Sequence, residues 1–206
     1  MKLWHIDSSV LGENSASRKL TAAIVARETS RHPGLEVTYL DLAAAPVAHL
    51  SPAHIGAMFG HAPEDAAVQA DIARGQGFIE TLFAADIIVI GAPMYNFGLP
   101  TQLKAWADRI LVAGKTFKYG PDGVPFGLVP AGKKVFIAST RGGLYGPGAP
   151  AAPLEHQQSH LTAMLGFIGL TDITIYNADG LAIPDHKEQS VAAAFAEVAG
   201  HAHELA

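Results

Sequence analysis

Hydrophobic and polar positions along the chain fall into two alternating patterns. Ile87 to Ile90 is an unbroken β-branched run, and Val135 to Ala138 is apolar throughout. Such runs belong to strands covered on both faces, as in a parallel sheet. Leu35–Asp41 and Asp172–Asn177 instead alternate apolar with polar residues, the pattern of strands at a sheet edge. Lys2–Asp7 reads as a fifth strand, with His5 expected to be buried and hydrogen-bonded. The two apolar runs place strands at Asp86–Gly91 and Lys133–Ser139, the first ending where Pro93 removes a ladder donor. Helices are predicted over Ser15–Arg31, Glu64–Phe83, Leu99–Leu111 and from Pro184 onward, with a short helix starting at Ser51-Pro52. Alternation of strand and helix predicts a parallel sheet with right-handed crossovers. Apolar strands at the centre and mixed ones at the edges favour the order 2-1-3-4-5.

Two connections exceed what a crossover needs. Residues 42–84 carry extra helix, and 113–132 are rich in Gly and Pro, resembling a hairpin or flap. Excursions of that length in compact domains are usually functional.

Composition narrows the class. With 206 residues, 49% of them hydrophobic and 16% charged, the chain suits one domain spanning 1–206 with a sizeable core. A net charge of −5 and scattered Lys and Arg offer no nucleic-acid footprint. Cysteine is absent, which excludes disulfides, thiolate nucleophiles and Cys-ligated zinc. The opening MKLWHIDSS lacks the apolar core of a signal peptide, and Asp86 interrupts the best apolar run. A soluble, cytoplasmic protein without membrane or nucleic-acid partners is expected.

Three loops hold the candidate chemistry. Ser8 to Ser17 joins the first strand to a helix and is rich in hydroxyls. It is either an anion site at a helix N-terminus or an ordinary serine cap. Its spacing matches neither a P-loop nor the G-x-G-x-x-G fingerprint. After the third strand come Pro93, Met94, Tyr95, Asn96, Phe97 and Gly98, which either line a planar ligand or simply cap the core. After the fourth come Ser139, Thr140, Arg141, Gly142 and Gly143, where paired glycines bring backbone N–H groups close to a ligand or form a plain turn. Gly146 to Pro153 reads as a mobile surface loop. In a 2-1-3-4-5 sheet the three loops leave neighbouring strands at one carboxyl edge, at the topological switch point. A phosphate grip, a ring platform and amide donors together describe a mononucleotide with a flat heterocycle, namely FMN.

The combination S-S-x-x-x-x-x-S-x-S (Ser8–Ser17), P-M-Y-N-F-G-x-P (Pro93–Pro100), S-T-R-G-G (Ser139–Gly143) and G-F-I-G-x-T-D (Gly166–Asp172) resembles the FMN-dependent NADH azoreductase and quinone reductase family over essentially the whole chain. The resemblance implies a flavodoxin-like three-layer α/β/α sandwich and a homodimer with active sites at the subunit interface. It also implies a ping-pong transfer of two electrons from NADH, or NADPH, to quinones and aromatic azo compounds. It assigns the 5′-phosphate to Ser9, Ser15, Ala16 and Ser17, and the isoalloxazine to Pro93, Met94, Tyr95, Asn96 and Phe97. Ser139, Thr140, Arg141, Gly142 and Gly143 fall at the pyrimidine edge. Backbone N–H groups of Asn96, Gly142 and Gly143 would stabilise charge on the reduced ring, with no obligatory acid or base. Asn96→Pro is expected to delete one such donor. Tyr119, Tyr145 and Phe167 match positions around the substrate. Tyr145 stands near the place where family members often carry histidine.

Other readings carry less. His156 and His160, four apart beside Glu155 on a predicted helix, lack the further ligands a zinc site needs, and His201-x-His203 points two ways on a helix. No metal site is expected. No G-x-S-x-G elbow supports a serine hydrolase. An FMN electron carrier without turnover is the alternative of a different class, and NADH bleaching of the flavin discriminates it.

Overall fold

The structure is a computed structural model describing residues 1–200. Along the chain run β1 (Lys2–Asp7), α1 (Ala16–Arg31), β2 (Glu36–Asp41), α2 (Pro52–Met58), α3 (Ala66–Ala84), β3 (Ile87–Pro93) and α4 (Thr101–Ile110). They are followed by β4 (Phe117–Tyr119), β5 (Pro125–Gly127), β6 (Lys134–Thr140), α5 (Gln158–Phe167), β7 (Asp172–Ala178) and α6 (Pro184–Gly200). Five strands form one parallel sheet in the order β2-β1-β3-β6-β7, while β4 and β5 pair as a separate antiparallel hairpin. With the hairpin set aside this is the expected 2-1-3-4-5 order.

Strand residues alternate between two cores, as the two-residue period of a strand requires. Leu3, Ile87, Val89, Phe136 and Ala138 pack with Leu20 and Ile24 of α1 and Ala194 and Val198 of α6. Trp4, Ile6, Ile88, Ile90, Val135 and Ile137 pack with residues of α3, α4 and α5. Trp4 is the pivot of that second cluster, meeting Trp106 edge-on at 5.6 Å and Phe78 at 6.1 Å. Ile88 and Ile137 are fully buried, and truncating either to Ala would cost about 2–5 kcal/mol. Val37 and Tyr39 of β2 are exposed, which is why that strand tolerates polar neighbours at the edge.

Three expectations need correction. β3 does not stop before Pro93: it continues beside β6, with Pro93 opposite Thr140 and the Met94 N–H donating to the Thr140 carbonyl at 2.8 Å. β1 ends at Asp7, opposite Gly91. Successive N–H groups point to opposite sides of a strand, so Pro93 turns its missing donor toward a side where no strand remains. His5 is only partly buried, and its Nε2 has no hydrogen-bond partner in the described residues, lying 3.4 Å from Asp7 Oδ2. Its ring rests against Tyr39 with centroids 4.8 Å apart. His156 precedes α5 rather than sharing a helix face with His160. His201 and His203 lie outside the described residues. No helix among the described residues is long and apolar enough to cross a membrane.

Candidate active site

β1, β3 and β6 are neighbours, so the loops that leave their carboxyl ends share one edge of the sheet. Direct bonds stitch them together. Ser8 Oγ donates to the Gly91 carbonyl at 2.6 Å. Ser9 Oγ and Tyr95 Oη share a hydrogen bond of 3.2 Å, and the Val10 N–H donates to the same Tyr95 oxygen at 3.2 Å. Gly91 is required by this packing: a Cβ there would lie 2.7 Å from the buried Asp7 Oδ1.

Ser15 caps α1, its Oγ accepting from the Arg18 N–H at 3.3 Å and lying 3.0 Å from Ser17 Oγ. Among the described residues no acceptor meets the N–H groups of Ala16 and Ser17. Two buried hydroxyls beside free first-turn donors, at the positive end of a helix dipole, form a cradle for an anion.

The loop after β3 folds into a two-residue turn. The Tyr95 N–H donates to the Gly98 carbonyl at 3.0 Å and the Gly98 N–H to the Tyr95 carbonyl at 3.1 Å. Its central residues Asn96 and Phe97 have φ of +48° and +70°, as a type I′ turn demands. Asn accepts that conformation readily, whereas a residue like Phe stores roughly 1–2 kcal/mol of strain. The turn holds because the Phe97 carbonyl accepts the His156 N–H at 3.0 Å and the Phe97 ring meets Tyr145 edge-on at 6.3 Å. The same geometry corrects the proline test. At φ +48° proline cannot be accommodated, so Asn96→Pro would break the turn and not merely delete a donor.

The twin-glycine loop turns its carbonyls inward. The Arg141, Gly142 and Gly143 carbonyls accept from the Leu181, Ala182 and Gly180 N–H groups at 3.0, 2.9 and 2.9 Å. The Gly142 and Gly143 N–H groups have no acceptor among the described residues. A Cβ on Gly143 would press on the Tyr145 ring at 3.1 Å, so that aromatic covers the loop.

Ser139 and Arg141 find their side-chain partners inside the protein. Ser139 Oγ donates to Gln157 Oε1 at 3.3 Å and Arg141 Nε to the same atom at 3.0 Å. The guanidinium also reaches Gln158, lies 3.5 Å from Asp179 and is 3.7 Å from Glu155. Burial pushes the Glu155 carboxyl up, but the Gln158 and Ser159 N–H groups and Arg141 together hold it below the ordinary carboxylate range. Burial wins at Asp179 and raises it despite Arg141. Gln157, fully buried and bonded to the Ala92 carbonyl as well, is the hub of this brace. Residue-type reading misses it, because a lone glutamine before a helix carries no motif. Tyr119 and Phe167 are joined through Phe117, with centroids at 5.8 and 4.6 Å. Their ring contacts do not run to the three loops.

A family profile described as "Flavodoxin-like fold" matches residues 1–202. The chain belongs to this flavodoxin-like family. Its sequence is 52% identical over 195 residues to FMN-dependent NADH:quinone oxidoreductase 2 of Bradyrhizobium diazoefficiens, covering 94% of this chain and 95% of that one. Identity to the FMN-dependent NADH:quinone oxidoreductase of Xanthomonas campestris is 47%, covering 96% and 98% of the two chains. The crystal structure of an azoreductase from Bacillus anthracis superposes with a TM-score of 0.88 at 28% identity, over 100% of both chains. Within the flavodoxin-like family the chain therefore groups with FMN-dependent NADH:quinone oxidoreductases.

Proposed function

We propose that this chain is an FMN-dependent NADH:quinone oxidoreductase that also cleaves aromatic azo compounds, its two substrates taking turns at one site. The observation that carries the reading is the set of open donors on three adjacent loops: Ala16 and Ser17 N–H at one end, Asn96, Gly142 and Gly143 N–H at the other. Those donors suit FMN, which needs an anion cradle and amides along a flat ring. FMN, when bound, supplies the two-electron chemistry, accepting hydride from a nicotinamide and passing electrons to a quinone or azo acceptor.

The protein's own contribution is binding, orientation and exclusion of water. Ser9, Ser15 and Ser17 would hold the 5′-phosphate with neutral hydroxyls and the α1 dipole. Pro93, Met94, Tyr95, Asn96 and Phe97 would flank the ring, held rigid by the strained turn. Gly142 and Gly143 would offer N–H groups at its polar edge, and because their carbonyls are already engaged those donors need no reorganisation. Ser139, Thr140 and Arg141 would act beneath them, the Thr140 carbonyl anchoring Met94 and the Arg141 guanidinium bracing the loop from below. Tyr145 covers Gly143 and is our candidate for the acceptor pocket, joined by Tyr119 and Phe167 in a homodimer whose second subunit completes the site. In this reading residues 1–206 are one soluble, cytoplasmic domain. Helices α1 and α6 on one side of the sheet and α3, α4 and α5 on the other support a three-layer sandwich.

The decisive experiment is anaerobic. Protein loaded with FMN should bleach with NADH and recover its yellow colour with menadione or methyl red. A flavin that NADH leaves oxidised would favour an electron carrier instead. Steady-state rates with NADH and NADPH against a quinone and an azo dye then rank donors and acceptors.

A further inference from the structure

Arg18, which no motif above includes, is engaged more completely than any other cation near the three loops. Its guanidinium has five N–H groups, and five bonds account for them. Nε and Nη2 donate to the Ser9 carbonyl at 3.2 and 2.8 Å. Nη2 and Nη1 grip Asp41 as a fork at 2.7 and 2.8 Å, and Nη1 donates to Tyr39 Oη at 3.0 Å. No donor is left over for a phosphate.

What Arg18 does control is a single peptide plane. No peptide bond in the described chain is cis, so the Ser9 carbonyl and the Val10 N–H point in opposite directions. Arg18 draws the carbonyl toward α1 and β2, and this turns the Val10 N–H to the Tyr95 hydroxyl on the loop after β3. Ser9 Oγ meets the same hydroxyl, and the Leu11 N–H donates back to Ser9 Oγ at 3.3 Å. Asp41 fixes the guanidinium in turn, with one oxygen also accepting the Ala43 N–H at 2.9 Å and the Ala44 N–H at 3.1 Å. The end of β2 is thereby coupled to the anion cradle.

We propose that Arg18, held by Asp41, is the positioning residue of the phosphate-binding loop, selecting phosphorylated over unphosphorylated flavin without touching the phosphate. This inference rests on the FMN reading above. A free strand-end carbonyl directed into the cradle would repel an anion. Arg18 keeps the Ser9 carbonyl turned away, and the Val10 N–H and the Ser9 hydroxyl held against Tyr95. A ligand that lacks the phosphate gains little from that arrangement.

The test is the ratio of riboflavin to FMN dissociation constants, measured by quenching of flavin fluorescence on the full chain stripped of flavin. Wild type should favour FMN strongly. Arg18→Met should weaken FMN binding at least tenfold while changing riboflavin binding less than threefold. Arg18→Lys, which cannot bridge Ser9 and Asp41 with a planar fork, should fall between. Asp41→Asn keeps the side-chain shape and should reduce the ratio in the same direction, which covers the case in which Arg18→Met fails to fold. An unchanged ratio in Arg18→Lys and Asp41→Asn would overturn the inference. Wild type that binds neither flavin would overturn the FMN reading itself, a distinct outcome.

Discussion

A hollow in the described chain lies away from the open donors. A cleft of about 390 Å³ lies among α2, α3 and α4, lined by Leu50, Met58, Ile72, Ile79 and Val112 with His54 and Arg109. Its polar side chains mostly bond one another, with Arg109 Nη1 left without a partner among the described residues. His54 bonds Ser51 Oγ at 2.7 Å and Asp71 at 3.2 Å, and Asp71 accepts from Arg109 Nε at 2.8 Å and pairs with Nη2 at 2.7 Å. The three-loop edge has the reverse character, with backbone donors left without acceptors on every loop. Volume marks where packing is incomplete, whereas several unmet backbone donors converging on one edge mark where a polar ligand belongs.

That contrast can be broken from the cleft side. Asp71→Ala removes one partner of a buried ion pair and should cost about 3–5 kcal/mol in urea unfolding. FMN affinity of the folded protein should stay within about threefold. A parallel loss of affinity would mean that the two regions are one functional unit.

From the site side, Asn96→Val forces a β-branched residue into φ +48° and should cost about 1–3 kcal/mol. FMN affinity should fall with it, because the turn and its N–H are one structure, whereas Asn96→Gly should keep both. Tight FMN binding by Asn96→Val would remove the turn from the site. Ser15→Ala, a cap substitution, should lose only about 1 kcal/mol of stability yet weaken FMN binding about tenfold. Calorimetry of both quantities on one sample separates the effects.

The smallest effect is in acid. Asp41 is held below the ordinary carboxylate range by Arg18 above all, then by the Ala44 and Ala43 N–H groups against burial. Burial pushes Asp71 up, but the Ala48 N–H, Arg109 and His54 outweigh it and leave it lowered. A carboxyl lowered on folding adds stability that is complete above its unfolded value, about pH 4, and is lost as pH falls through the folded one. Unfolding midpoints should therefore be insensitive to these groups near neutrality and drop below about pH 4. Asp71→Asn should flatten that drop more than Ser15→Ala. Equal slopes would show that the cleft network stores no charge-dependent stability. Tyr39 is pushed up to about 12 by burial and the neighbouring Asp7 and Asp41 carboxylates, so it should not titrate in a melt between pH 4 and 9.

Much of this was legible in residue order. Ile87–Ile90 identifies a central strand because only a doubly covered strand needs apolar residues at every position. The clustering of Ser8–Ser17, Pro93–Pro100 and Ser139–Gly143 at one edge follows from alternation and crossover handedness. Residue order alone misplaces the end of β3 at Pro93, because proline's cost depends on which neighbour its nitrogen faces, and only the register with β1 and β6 reveals that. Gln157 and Arg18 were invisible for a similar reason, since their partners lie 65 and 23 residues away.

Sequence alone determined the chemistry on offer: hydroxyls before a helix, an aromatic amide-bearing turn, twin glycines, and a sheet that must bury its centre. Tertiary structure decided which of those groups remain free. Whether a carbonyl or an N–H faces the site depends on long-range partners, Arg18 for Ser9 and the 180–182 segment for the glycines. A hydrogen bond is a pairwise fact, and one half of the pair is not written locally.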